Sequence, residues 1–429
     1  MKKITILLMA LTLASFLFAS CQKAKEPAKE AQPQQNKEQQ PSQQPKTKSE
    51  AISKQQLSPL ERARGREVKD ENGLIITWGS LKYLPTLDEV FSVLETIPAE
   101  IEFPKEVQQI ELPDTAERRK LKKNIKDEIY DYLYAVESPN RKCIVEFYCG
   151  TLPRDKQECW LRGIDRSTQK VLWKYNEPGL IENPSPQLEF SMESDNFILS
   201  NITKKKPGPQ NPGWAVKLFS CQNGFRQEIY ATDEAVVTSP LGTITPDGKN
   251  ILVSTHDGKI INYDLEGSVL WDKQVNPHHK DLHPIYISLD GLELATFYRS
   301  PVIRSLSERR RAGLPEELQL LQIKTGDIKL KKRFYADLGD KSMITNTMEI
   351  RGIIPDKEII GLWLMDGIGF VLDKTNPFGN VAVLITKENV YAFRIHSLGF
   401  SFTNDGRYLS ANHKMYDLQS FIDREKVEN

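Results

Sequence analysis

The sequence predicts an all-β body assembled from a repeated four-stranded unit, and three observations carry that prediction. A turn signal of the form Ser/Thr/Pro-x-Asp/Asn-Gly recurs ahead of short apolar runs, roughly every 50 residues. A second signal, a polar tight turn followed by a strand with β-branched or aromatic residues, recurs downstream of the first. Residues 1–60 have a composition of their own, which sets the remaining 61–429 apart as the folded body.

At the N-terminus, Lys2 and Lys3 precede an apolar run from Ile4 to Phe18, too short for a membrane span and suited to an export signal. The run ends in Leu17-Phe18-Ala19-Ser20-Cys21. Small residues directly before a cysteine resemble the lipobox of bacterial lipoproteins, with Phe18 where Leu is usual. That resemblance implies that residues 1–20 are a signal peptide removed on export. It also implies that Cys21 is lipidated with diacylglycerol on its thiol and a further acyl chain (palmitate, for example) on its amino group. Two or more chains anchor firmly where one holds marginally. Gln22 after the cysteine points, by the sorting rule of enterobacterial lipoproteins, to the outer membrane.

Residues 21–60 follow as a tether. From Gln22 to Lys48 they are almost wholly Gln, Lys, Glu, Pro and Ala, unable to bury apolar surface and so expected to be disordered. Such a spacer would average roughly 30 Å end to end and stretch to about 90 Å. A short helix is expected between Ser49 and Lys69.

In the body, the first signal appears at Glu137-Ser138-Pro139-Asn140, at 191–195, at Thr245-Pro246-Asp247-Gly248 and at Ser288-Leu289-Asp290-Gly291. Further copies stand at Pro355-Asp356-Lys357 and Thr403-Asn404-Asp405-Gly406. The second is clearest in Asp165-Arg166-Ser167-Thr168-Gln169-Lys170-Val171-Leu172-Trp173 and Asp264-Leu265-Glu266-Gly267-Ser268-Val269-Leu270-Trp271, with poorer copies at 219–224 and 323–328. Both in one period give four short strands. A lone four-stranded sheet cannot bury its two faces, so neighbours must supply the core. The design is a β-propeller of about seven four-stranded blades (six to eight). Two stacked β-sandwiches are the competing reading, disfavoured by the constant turn phase. The two signals resemble, respectively, the Ser-Pro-Asp-Gly strand of WD-repeat-like propellers and the Asp-x-x-Thr-Gly-x-x-x-Trp signature of pyrroloquinoline-quinone-type repeats. The adjacent Cys-Cys pair of the quinone enzymes is missing, so no cofactor is assigned.

Residues 85–128 interrupt the pattern. Leu87, Val90, Phe91, Leu94 and Ile97 have helical spacing behind Thr86, and Asp114-Thr115-Ala116-Glu117 opens a second helix, so a helical insertion is expected. The strand Leu74-Ile75-Ile76-Thr77-Trp78 is expected to close a seventh blade against Lys414-Met415-Tyr416.

Lys+Arg and Asp+Glu each total 58, which leaves no basic excess for nucleic acid. Cys143 and Cys149 share a strand face and Cys159 opens the next strand. A Cys149–Cys159 bridge and a Cys143–Cys159 bridge both fit, as do reduced, buried cysteines. His278, His279 and His283 lie close to Asp281 and could ligate zinc or copper, but flanking prolines mark an ordinary inter-blade loop. Arg304 with Arg309–Arg311, and Lys204–Lys206, read as solvated loop tips; contact with acidic partners or headgroups is the sharper alternative. No nucleophile elbow, zinc-protease helix or phosphate loop occurs, so no catalytic residue is named.

The expected function is a non-enzymatic scaffold for protein or peptide binding in the cell envelope, held to a membrane by its lipid anchor. The alternative is an exported hydrolase, lyase or carbohydrate-binding propeller with its site at the central channel.

Overall fold

The computed structural model describes residues 57–70, 73–78, 83–104, 108–125, 132–152, 156–176, 187–203, 213–232, 241–255, 257–275, 285–299, 316–334, 345–366, 380–397 and 399–428. The folded unit begins at Leu57. Cys21 and the signal and tether segments up to residue 56 lie outside the described residues.

Each pair of recurrent signals becomes one antiparallel meander, and the chain is a β-propeller. The described residues form six sheets, inside the expected range. Blade 1 runs through Tyr132–Glu137, Cys143–Leu152, Lys156–Asp165 and Val171–Asn176; blade 2 through Gln187–Phe190, Asn196–Thr203, Gly213–Ser220 and Gly224–Thr232. Blade 3 comprises Leu241–Ile244, Asn250–Ser254, Lys259–Asp264 and Val269–Gln274; blade 4 comprises Ile285–Ile287, Glu293–Arg299, Glu316–Gln322 and Ile328–Phe334. Blade 5 is Thr345–Ile354, Ile359–Asp366, Asn380–Ile385 and Val390–Ile395, and blade 6 is Ser401–Phe402, Tyr408–Ala411, Lys414–Asp417 and the N-terminal Ser92–Val93. The first strands of blades 2 and 3, of 4 and 5, and of 5 and 6 touch one another, which puts them on the inner side of the ring.

Burial follows position. Ile251, Leu252 and Val253 on a second strand are all fully buried, because both faces of that strand are packed. Val269 and Leu270, on the outermost strand of the same blade, are more than half exposed. Alternate residues serve opposite neighbours. Val145 and Phe147 of blade 1 pack with Phe197 and Phe219 of blade 2, while Ile198 and Val216 of blade 2 pack with Ile251 and Val253 of blade 3.

The Trp signature acquires a mechanism here. Trp271 on the outer strand of blade 3 donates its indole N–H to the Ile323 carbonyl in the last turn of blade 4 (2.7 Å), and Trp173 of blade 1 does the same to Cys221 of blade 2 (2.9 Å). Gln227 reaches Leu265 (2.6 Å) and Lys332 reaches Glu388 (3.4 Å) at the equivalent junctions, so the outer strands of blades 1 to 4 clasp the next blade's turn. Gly326 lies under the Trp271 ring at φ +71, where an added Cβ would come within 2.9 Å of the indole. Trp271→Phe should therefore leave a smaller aromatic ring there and remove the hydrogen bond, costing at least about 1 kcal/mol in urea unfolding. A midpoint unchanged from wild type would show that the clasp contributes nothing.

The N-terminal segments do more than decorate. Helix α1 (Pro59–Ala63) carries a complete capping box from Ser58 and Glu61. It gives way to the hairpin Arg66–Asp70/Gly73–Thr77 in place of a longer helix. The hairpin does not close a seventh blade; it extends the outer edge of blade 4, through Ile76 beside Phe334. The strand that meets Lys414–Asp417 is Ser92–Val93, directly after helix α2 (Leu87–Val90). Residues 85–128 thus contain α2, which stops at Val90 with the expected Leu94 and Ile97 outside it, the expected helix α3 (Ala116–Asn124), and also two strands. One completes blade 6, and the other, Gln108–Ile110, lines the inner edge of blade 1. Lys414 and Tyr416 both bond Asp88 (2.6 and 2.8 Å), fixing the closing strand in place. The C-terminal helix α4 (Leu418–Glu428) packs Leu418 and Phe421 beneath this closure.

Candidate functional site

The first recurrent signal builds one end of the central channel. In four blades the turn between first and second strands is held by the same local bonds. A Ser or Thr hydroxyl donates to the Asp or Asn two residues on and accepts from the backbone N–H five residues on. The donor pairs are Ser138–Asn140 (2.8 Å), Thr245–Asp247 (2.7 Å), Ser288–Asp290 (2.5 Å) and Thr403–Asp405 (2.6 Å). The matching N–H donors are Cys143, Asn250, Glu293 and Tyr408. The turns also touch one another around the ring. Asn140 donates to Asp195 of blade 2 (2.7 Å), and Ser191 donates to the Pro246 carbonyl of blade 3 (2.6 Å). The motif is a local fold signal that doubles as the rim of the channel.

Within this rim lies a cavity of about 980 Å³. Its walls come from the first turn of blade 1 (Glu137 to Arg141), the first strands of blades 4, 5 and 6, and the segment containing Phe103, Pro104 and Gln108. Phe103, Tyr286, Ile350, Phe400 and Phe402 give it an aromatic and apolar surface, while Arg141, Arg351, Glu137 and Asn140 give charge and hydrogen-bonding groups. A second cavity of about 250 Å³ shares Pro104, Tyr286, Arg351 and Phe402 with the first. Residue Glu102, just before Phe103, is tied to the rim by Asn404 N–H donating to its carbonyl (2.8 Å). Glu137 is engaged by Arg166 at 2.6 Å. Burial pushes the Tyr286 phenol above its usual range, with Arg351 pulling the other way. The Ser138 hydroxyl is spent on its turn, and neither His nor Cys is among the described residues lining either cavity.

Farther round the inner ring, Glu189 of blade 2 accepts a hydrogen bond from the Thr243 hydroxyl of blade 3. Enclosure by protein pushes its carboxyl up to about 7, against the lowering effect of that bond. A carboxyl that holds its proton longer in the fold than in the unfolded chain adds stability below its ordinary value of 4.5. That contribution is lost as pH rises through about 7. Glu189 also keeps contact with water, which weakens the effect. Glu189→Gln should match wild type in urea midpoint at acid pH and exceed it above neutrality. A difference that does not vary with pH would contradict this.

The second signal also explains its aspartate. Asp165 accepts from the backbone and hydroxyl groups of Ser167 and Thr168 (2.6–3.0 Å). The Ser167 hydroxyl first, and Thr168 with it, hold its carboxyl down at about 2.

Among the sequence-predicted residues, Cys149 and Cys159 are direct cross-strand partners in blade 1, Cα atoms 4.1 Å apart and sulfurs joined as a disulfide. Cys143 is instead a buried thiol, as is Cys221. His278, His279 and His283, the Arg304–Arg311 loop and Lys204–Lys206 lie outside the described residues. Among the described residues no cluster of His, Cys, Asp and Glu could hold a metal ion, and no helix is long and apolar enough to cross a membrane. Arg351, Tyr286 and Phe402 were not legible as site residues. They come from three blades, and only the ring brings them together.

No protein-family model and no curated protein matches the sequence. Among solved structures the chain is similar to one in the crystal structure of the mitotic checkpoint complex, at 11% identity over 76% of this chain and 96% of the other, with a TM-score of 0.34. It is also similar to the β-propeller domain of the Trilobed protease from Pyrococcus furiosus, at 8% identity over 63% and 74% of the two chains, with a TM-score of 0.37.

Proposed function

We propose that this protein is a membrane-tethered, non-enzymatic scaffold of the bacterial cell envelope that holds an extended segment of a partner protein at the channel mouth. The observation that carries the reading is the roughly 980 Å³ cavity, whose aromatic and mixed-charge walls come from four blades and from Phe103, Pro104 and Gln108. The lipobox at Cys21 and the polar tether support the membrane part, since they would hold the propeller some tens of ångströms from a bilayer. The direction of the anchor toward the outer membrane rests on Gln22.

Gentle crosslinking of whole membranes followed by affinity recovery tests the reading. Wild type should bring down a stoichiometric partner, and Phe103→Ala with Arg141→Glu, both exposed at the rim, should lose it. A partner retained by that variant would move the site elsewhere. Recovery of this protein alone would overturn the scaffold. Cys21→Ser should shift the chain from the membrane to the soluble fraction; a chain still in the membrane would overturn the anchor.

A further inference from the structure

Two of the four body cysteines are left over once Cys149 and Cys159 are joined, and they sit together. Cys143 begins the second strand of blade 1 and faces blade 2; Cys221 lies in the last turn of blade 2. Both are at most 1% exposed and belong to the same apolar cluster between the blades. Their thiols are hydrogen-bonded to each other. The backbone around them is pinned from both sides. Asn140 of blade 1 bonds Asp195 (2.7 Å), the Asp195 carbonyl accepts from the Cys221 N–H (2.7 Å), and the Cys221 carbonyl accepts from Trp173 (2.9 Å).

We infer that Cys143 and Cys221 are a second disulfide site, one that staples blade 1 to blade 2 when the chain folds under oxidising conditions. Each thiol gives up its hydrogen and the Sγ–Sγ bond forms. The two electrons and two protons reduce the disulfide of an oxidant, such as oxidised glutathione or an oxidase with an exchangeable disulfide, to two thiols. The timing follows from the site. In the closed fold, the bond with Cys143 and burial keep the Cys221 thiol protonated and therefore a poor nucleophile. The exchange therefore belongs to the period before the two blades close on each other, and the finished bond is shielded from reductants. The loop it closes spans nearly all of both blades, so the restraint on the unfolded chain is large. Export would deliver the chain to a compartment where such bonds persist. The inference does not depend on what the channel mouth binds.

The test uses the full chain carrying Cys21→Ser, so that the tether thiol takes no part. The reduced, unfolded chain is refolded in mixed oxidised and reduced glutathione, alkylated, digested without reduction and mapped by mass. Two linkages are expected, Cys149–Cys159 and Cys143–Cys221, the second making the chain two hydrogens lighter than the first alone. Alkylated Cys143 and Cys221 beside an intact Cys149–Cys159 link would overturn the inference, as would Cys143 bonded to Cys159. Folded, reduced protein given the same buffer should form the second bond far more slowly. The Cys143→Ala/Cys221→Ala variant should unfold several degrees below the oxidised wild type; equal midpoints would show that the bond does not staple the blades.

Discussion

Truncating Phe421 to alanine is expected to cost about 3–5 kcal/mol of stability, which would make it one of the most damaging single substitutions in the chain. Phe421 is fully buried in helix α4. It stacks on Phe91 with ring centroids 5.2 Å apart and meets Tyr391 edge-on at 5.1 Å, with Phe393 at 6.2 Å. Phe91 adjoins the strand that completes blade 6, and Tyr391 and Phe393 belong to blade 5. One ring therefore joins the C-terminal helix, the N-terminal closing strand and a blade, and the hole it leaves cannot be filled from any one of them. Urea unfolding followed by tryptophan fluorescence measures the loss. Phe421→Leu should retain most of the stability. A loss below about 1 kcal/mol for the alanine variant would mean that the closure relaxes around the cavity.

Replacing Glu146 with alanine should be comparably severe, at about 3–5 kcal/mol, for an electrostatic reason. Glu146 is on the second strand of blade 1, with its side chain 2% exposed. It accepts from Arg162 on the next strand and from Arg118 on α3 at 2.8 Å, and Arg162 also reaches Glu117 at 3.1 Å. Without Glu146, two largely buried guanidinium groups lose their shared counter-charge, and their desolvation is no longer offset. Helix α3 has no buried residue of its own, and Arg118 and Glu117, paired with Glu146 and Arg162, are its charged ties to the blade. The variant should therefore show a lower urea midpoint and faster trypsin cleavage among Arg118–Lys123. Replacing Glu146 and Arg162 together with methionine should recover part of the loss. If the double variant were as unstable as the sum of its parts, the pairing would not be the cause.

These two sites also divide what was legible from what was not. The turns Ser138–Asn140, Thr245–Asp247, Ser288–Asp290 and Thr403–Asp405 were visible in advance because their bonds join residues two to five apart. The Trp173 and Trp271 signatures were visible because each combines a local turn with a bulky strand residue. Glu146 gave no signal, since its partners lie 28 and 16 residues away and charged residues are common on strands. Ser92–Val93 gave none either: two residues carry no periodicity, and nothing local states that a chain 300 residues later will pair with them. Leu74–Thr77 was legible as a strand but not as a partner of blade 4, because alternation specifies a buried face without specifying the neighbour.

What the sequence determined by itself is the unit. Turn chemistry, strand length and hydrophobic alternation act over a few residues, and they set a four-stranded meander and its repetition. The tertiary structure decided how the units are joined and what they enclose. Blade order, the closing strand, the clasp of four outer strands on the next turn, the buried Glu146 cluster and the Arg351–Tyr286–Phe402 mouth all depend on groups far apart in the chain. Their energies exist only after the chain has paid the entropy of bringing them together, and nothing in a local stretch of sequence records that.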